Sequence, residues 1–109
     1  MGLRAIVNVS SSGDNVLIAA ASVPAGSCVR VLAWQLVANG AVSATWKSGG
    51  GGVLWGPVQI GGYGQGANSP SVLPGERGQF RTVKGEGLTL NLSGPVTVTG
   101  GVVYEWQGQ

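Results

Sequence analysis

The chain has 109 residues, enough for one domain, with 9% charged side chains, a net charge of +2, no histidine and one cysteine. Its four carboxylates, Asp14, Glu76, Glu86 and Glu105, are scattered, so no paired acid and base and no metal cluster is legible, and neither an enzyme nor a cofactor is expected. The six basic residues are too sparse for a nucleic-acid stripe, and no apolar run approaches the ~20 residues of a membrane-spanning helix.

The predicted elements are strands and turns. Met1-Gly2-Leu3-Arg4 leads directly into a strand over Arg4–Val9, without the basic and apolar regions of a secretory signal. Ile6 stands where a myristoylation motif would carry Ser or Thr. Ser10 to Asn15 is a turn cluster. Val16–Ala21 reads as a strand rather than a helix, because it is short, starts β-branched and ends before Val23-Pro24.

Cys28–Ala38 is the longest run and is apolar on both faces. Strict alternation places Leu32, Trp34 and Leu36 on one face and Val29, Val31, Ala33 and Val37 on the other. Such a strand is expected at the centre of a sheet, covered on both sides. Cys28, alone and therefore unable to form an intramolecular disulfide, is expected to act as a small core hydrophobe. Asn39-Gly40 is a strong hairpin signal, and Ala41–Lys47 is the return strand. Ser48 to Gly52 is a glycine-rich break. Val53–Ile60 carries Gly56-Pro57, which marks an edge strand or a bulge.

The segment 61–75 reads as a long glycine-rich surface loop of the kind that carries function or is ordered by a partner. Gln79–Lys84 is the next strand, and Gly85-Glu86-Gly87 a tight turn. Leu88, Leu90 and Leu92 alternate with Thr89, Asn91 and Ser93, a half-buried strand. Val96-Thr97-Val98-Thr99 repeats the pattern, Gly100-Gly101 marks a kink or bulge, and Val102–Trp106 closes the domain. About eight strands separated by frequent turns predict an all-β, single-domain, jelly-roll-like antiparallel β-sandwich.

Motifs that suggest chemistry are weak. Ser10-Ser11-Ser12-Gly13-Asp14 has no base beside it and reads as a turn. Gly49–Gly52 and Gly61–Gly66 lack the following helix that a phosphate loop requires. Glu76 and Glu86 resemble a glycosidase pair only in residue type. Each sits in a glycine-flanked turn, where a solvated carboxylate is ordinary. Trp34 and Trp46 are expected in the core. Trp55 and Tyr63 flank the glycine-rich region, where aromatics anchor interfaces, stack on sugar rings or plug the end of the barrel.

The order of motifs carries a resemblance. Arg30-Val-Leu-Ala-Trp-Gln-Leu-Val-Ala-Asn-Gly-Ala-Val-Ser-Ala-Thr-Trp-Lys-Ser-Gly is followed by Leu54-Trp-Gly-Pro, Leu73-Pro-Gly, Phe80-Arg-Thr, Gly85-Glu-Gly-Leu-Thr-Leu-Asn-Leu-Ser and Val96-Thr-Val-Thr-Gly-Gly-Val-Val-Tyr. Over roughly residues 28–105 this resembles small tailed-phage virion proteins that decorate or cement icosahedral capsids. The resemblance implies a non-enzymatic structural protein on the capsid exterior. It would bind the major capsid protein as a homo-oligomer, a trimer or dimer, with no direct nucleic-acid or membrane partner. Low charge and many small residues suit a surface largely covered by neighbours, or equally a surface kept soluble by Ser, Thr, Asn and Gln. The alternative is a carbohydrate- or receptor-binding module of a phage tail or fibre, motivated by Trp55 and Tyr63.

Three contact regions are expected on the capsid reading. They are an N-terminal arm over residues 1–4 with Met1, Leu3 and Arg4, the 61–75 loop with Trp55 and Tyr63, and the basic residues Arg77, Arg81 and Lys84.

Overall fold

The computed structural model describes residues 3–61, 65–68 and 79–108. Among these residues nine strands follow in order: β1 (Leu3–Val9), β2 (Gly13–Ile18), β3 (Ser27–Ala38), β4 (Val42–Ser48), β5 (Val53–Ile60), β6 (Gln65–Asn68), β7 (Phe80–Arg81), β8 (Leu88–Leu92) and β9 (Val98–Gly108). Among the described residues the only helical piece is one 3-10 turn, Ala20–Ser22, and no described helix is long and apolar enough to cross a membrane.

Two antiparallel sheets form a sandwich. The first has the order β1-β9-β3-β6, with β7 also paired to β3, and the second has the order β2-β8-β4-β5. With the two-residue β7 set aside, every connection except β4–β5 crosses between sheets. This is the double Greek-key path of a jelly roll, as the strand pattern predicts.

The core is built from one face of each strand. Leu88, Leu90 and Leu92 of β8 are buried, as are Val42, Ala44 and Trp46 of β4, Val98 and Val102 of β9 and Val7 of β1. Each fully buried Leu or Val side chain contributes roughly 1.5–3 kcal/mol relative to exposure. Trp34 from the first sheet and Trp46 from the second meet at 5.6 Å between ring centroids, tilted by 48°. Phe80 continues the contact, 5.9 Å from Trp46.

Long-range pairing overrides several local signals. Asn39-Gly40 is not a hairpin turn, because β3 and β4 lie in opposite sheets. A two-residue type I′ turn needs positive φ at both central residues, and no described non-glycine residue has positive φ. Instead, Asn39 N–H donates to the Thr97 carbonyl at 2.9 Å at a corner between the sheets. The one hairpin between consecutive strands in the second sheet is β4–β5, closed by the glycine-rich break: Ser48 N–H donates to the Gly52 carbonyl at 2.8 Å.

Strand β3 does not keep strict alternation. Its register against β9 slips between Val31 and Ala33, so the inward face changes parity at Leu32. Val29 and Val31 are buried before the slip, and Trp34, Leu36 and Ala38 after it. Ala33 and Gln35 are exposed. The strand is central but covered on one face only, which corrects the two-sided expectation.

Other boundaries also move. Leu3 and Arg4 pair with Tyr104 and Val103 inside β1 and are not a free arm. Strand β2 begins at Gly13 and stops at Ile18, with the 3-10 turn beyond. The segment 61–75 contains β6, paired to β3. The predicted strand over Gln79–Lys84 shrinks to Phe80–Arg81, because Thr82 to Gly87 turn back to clamp the sheets. The last two predicted strands are one, β9, running through Gly100-Gly101. Strand β5 is an edge strand with register shifts near its cis Gly56–Pro57 bond, as its proline indicates.

Candidate functional site

Three polar clusters exist among the described residues. In the first, the Ser48 hydroxyl donates to Glu86 Oε1 at 2.6 Å and accepts from the Val83 N–H at 2.8 Å. Thr82 Oγ1 donates to the Glu86 carbonyl at 3.0 Å and accepts from Val29 N–H at 2.9 Å. Ser48 and Thr82 are buried. Glu86 is therefore an anchored, half-buried group, not the freely solvated carboxylate that its glycine-flanked turn suggests. This cluster joins β4, β3 and the β7–β8 connection, and it makes structure.

In the second, Lys47 Nζ lies 3.1 Å from Asp14 Oδ1, and Asn91 Nδ2 donates to the same oxygen at 2.7 Å. The Asn91 hydrogen bond, followed by Lys47, holds the Asp14 carboxyl below its ordinary range. Asn15 Nδ2 donates to the Ser11 carbonyl at 2.8 Å and fixes the entry to β2. The predicted turn-forming role of Ser10 to Asn15 thus continues into a paired strand.

In the third, Arg81 Nη1 donates to Gln107 Oε1 at 3.3 Å, and Cys28 Sγ lies 3.8 Å from the same oxygen. Cys28 is buried as expected. It alternates with the core residue Val29, however, and so turns to the outer side of the sheet, beneath polar neighbours rather than in the central core. Among the described residues, no three His, Cys, Asp or Glu side chains gather as a metal site. The notional Glu76–Glu86 pair falls partly outside the described residues.

The aromatics are mostly committed to packing. Trp55 is half-buried and stacks on Phe80, with centroids 6.1 Å apart and planes 23° apart. Tyr104 and Trp106 meet edge-to-face at 5.3 Å. Both pack against the core.

The outer face of the β1-β9-β3 sheet differs from these clusters. In register across it lie Arg4, Val103 and Ala33, then Ile6, Gly101 and Gln35. Together with Ala5, Trp34 and Val102 they line a shallow groove of about 520 Å³. Gly101 leaves its floor without a side chain. Ile6 is 86% exposed, the most exposed large hydrophobic residue among those described. Farther along the same sheet, Arg30 stands between Glu105 and Arg81.

Of the residues expected to contact a partner, Arg4 and Arg81 both belong to strands of this sheet. Lys84 is exposed in the turn after β7 and lines a smaller cleft with Arg81 and Cys28. Leu3 is 39% exposed at the start of β1. Met1, Tyr63 and Arg77 lie outside the described residues. Ile6, Ala33, Gly101 and Val103 escaped the sequence reading. The available signal was Ile6 itself, an aliphatic residue in the polar register between Arg4 and Asn8. No family model, no curated protein and no solved structure matches the chain.

Proposed function

We propose that this chain is a non-enzymatic structural protein of a tailed-phage virion, binding the outer capsid surface and bridging major capsid protein subunits. The observation that supports it best is the outer face of the β1-β9-β3 sheet: a weakly charged surface with an exposed Ile6, small residues at Ala33 and Gly101, and arginine at Arg4. Area and shape, not titrating groups, are what such a bridge requires. A protein that binds only the assembled shell stabilises it by mass action, and repeated copies add avidity.

The carbohydrate-binding alternative is less well supported. One of its two motivating aromatics, Trp55, is engaged with Phe80.

The test is co-sedimentation of the purified protein with expanded capsids of the phage that encodes it, followed by thermal release of packaged DNA. The reading expects binding and a raised release temperature. It also expects Ala33→Glu, at an exposed position, to weaken binding at least ~10-fold by placing an unpaired charge in the contact. Absence from the capsid, with location at the tail tip, overturns it.

A further inference from the structure

The sandwich has four sheet edges, and they are not equally protected. Strand β5 is interrupted by register shifts near Pro57, and β2 by a shift between Val16 and Ile18. The far edge of the first sheet is divided between β6 and the two-residue β7. Irregularity of this kind is how natural proteins blunt an edge. Strand β1 has none of it. Its seven residues pair with β9 in one unbroken register, from Leu3–Tyr104 to Val9–Val98. It has no proline, no bulge and a single charge, Arg4. Its other edge is paired to no strand among the described residues. In an antiparallel pair, alternate residues direct N–H and C=O toward the partner. Half of the β1 backbone groups therefore face away from β9.

The geometry points to β1 as the contact with a second copy of this chain, pairing antiparallel about a two-fold axis at Ile6. Any antiparallel register about a two-fold axis pairs the strand with itself, but the registers differ in how much of the strand they use. Centring on Ile6, its midpoint, is the only choice that uses all seven residues. Ile6 then faces the same residue of the other copy, and the side chain that is 86% exposed in the isolated chain gains a cross-strand apolar partner. Arg4 falls opposite Asn8, a cation beside a neutral acceptor. The two Arg4 residues stand four positions apart, roughly 13 Å along the strand, beyond the ~8 Å screening length of physiological salt. On the inner face, Leu3, itself 39% exposed, falls opposite Val9, and Ala5 opposite Val7. The two five-stranded sheets become one continuous sheet, with both outer grooves on the same side. A two-fold contact of this kind is isologous and closed, so it makes a dimer and not a fibre. The inference concerns the isolated chain and stands whether or not a capsid is the partner.

Sedimentation of the purified chain from low micromolar to millimolar concentration tests it. A reversible monomer–dimer equilibrium is expected. Ile6→Lys sets like charges directly opposite each other across the axis, which is destabilising, and is expected to weaken the dimer at least ~10-fold while leaving the monomer's unfolding curve unchanged. Ile6→Cys places two thiols ~4.5–5.5 Å apart between Cβ atoms, close to disulfide reach. It is expected to give a covalent dimer under mild oxidation, whereas Asn8→Cys, opposite Arg4, gives none. The native Cys28 is 1% exposed and does not compete. A chain that stays monomeric throughout, or a dimer that Ile6→Lys leaves intact, overturns the inference.

Discussion

The Ser48 hydroxyl donates a 2.6 Å hydrogen bond to Glu86 Oε1 while accepting one from the Val83 N–H, and it does so at 1% exposure. This joins the last residue of β4 to the connection that leads into β8, across 38 residues of chain. Ser48→Ala leaves a backbone donor and a carboxylate oxygen without their partner at a part-buried site. The expected cost is about 1–3 kcal/mol, read as a lower urea midpoint with an unchanged slope. Glu86→Gln keeps an acceptor within reach and is expected to cost less.

Gly100 and Gly101 are adjacent and predict opposite outcomes. Gly100 has φ +145°, and a Cβ built on it would collide with the Gln35 carbonyl of β3. Gly100→Ala must therefore push β9 away from β3, at an expected cost of about 3 kcal/mol or more. A Cβ on Gly101 meets nothing nearer than the Ala5 carbonyl at 3.6 Å, an ordinary contact. Gly101→Ala is expected to change the unfolding temperature little and to fill only the floor of the outer groove. Thermal denaturation of the two variants side by side checks both.

Asp14 carries a pH dependence of defined sign. Its folded-state pKa is lowered from an ordinary value of 3.8, chiefly by the Asn91 hydrogen bond and next by Lys47. The stabilisation is present in full above that ordinary value. It is lost as pH falls below 3.8 and through the folded-state pKa. The pair is solvent-exposed, so its contribution is expected to be well under ~1 kcal/mol. Asp14→Asn should be slightly less stable than the parent at neutral pH and indistinguishable from it in strong acid, by chemical denaturation at both.

Trp55 distinguishes a packing residue from a sugar platform. Stacked on Phe80, it is expected to cost about 1–2 kcal/mol on Trp55→Ala through lost burial and ring contact. The parent and Trp55→Ala are expected to behave alike on a glycan array. Glycan binding by the parent that disappears in Trp55→Ala would return the carbohydrate reading to first place.

The alternating leucines of β8 and the apolar register of β4 were legible in the sequence because they depend only on the two-residue period of a strand. The proline-marked edge at β5 was legible because a missing N–H is a local fact. Asn39-Gly40 misled, since a turn signal records that the chain bends and not which sheet it enters next. Leu32 misled in another way. A bulge inserts one residue and exchanges every face after it, and nothing in Val29 to Val37 marks where it falls. Glu86 looked solvated because its flanking glycines are visible in sequence, while Ser48 is 38 residues away.

The sequence by itself determined the class of this protein: one domain of short strands and turns, with few charges and scattered carboxylates. These follow from composition and nearest-neighbour sterics. Only the tertiary structure decided the roll of the sheets, the parity of β3, the burial of Ser48 against Glu86, and the exposure of Ile6 on an unprotected edge. Each of these depends on pairing between distant segments, β3 with β9 and β1 with β9. The energy of such pairing belongs to two strands at once and is written in neither alone.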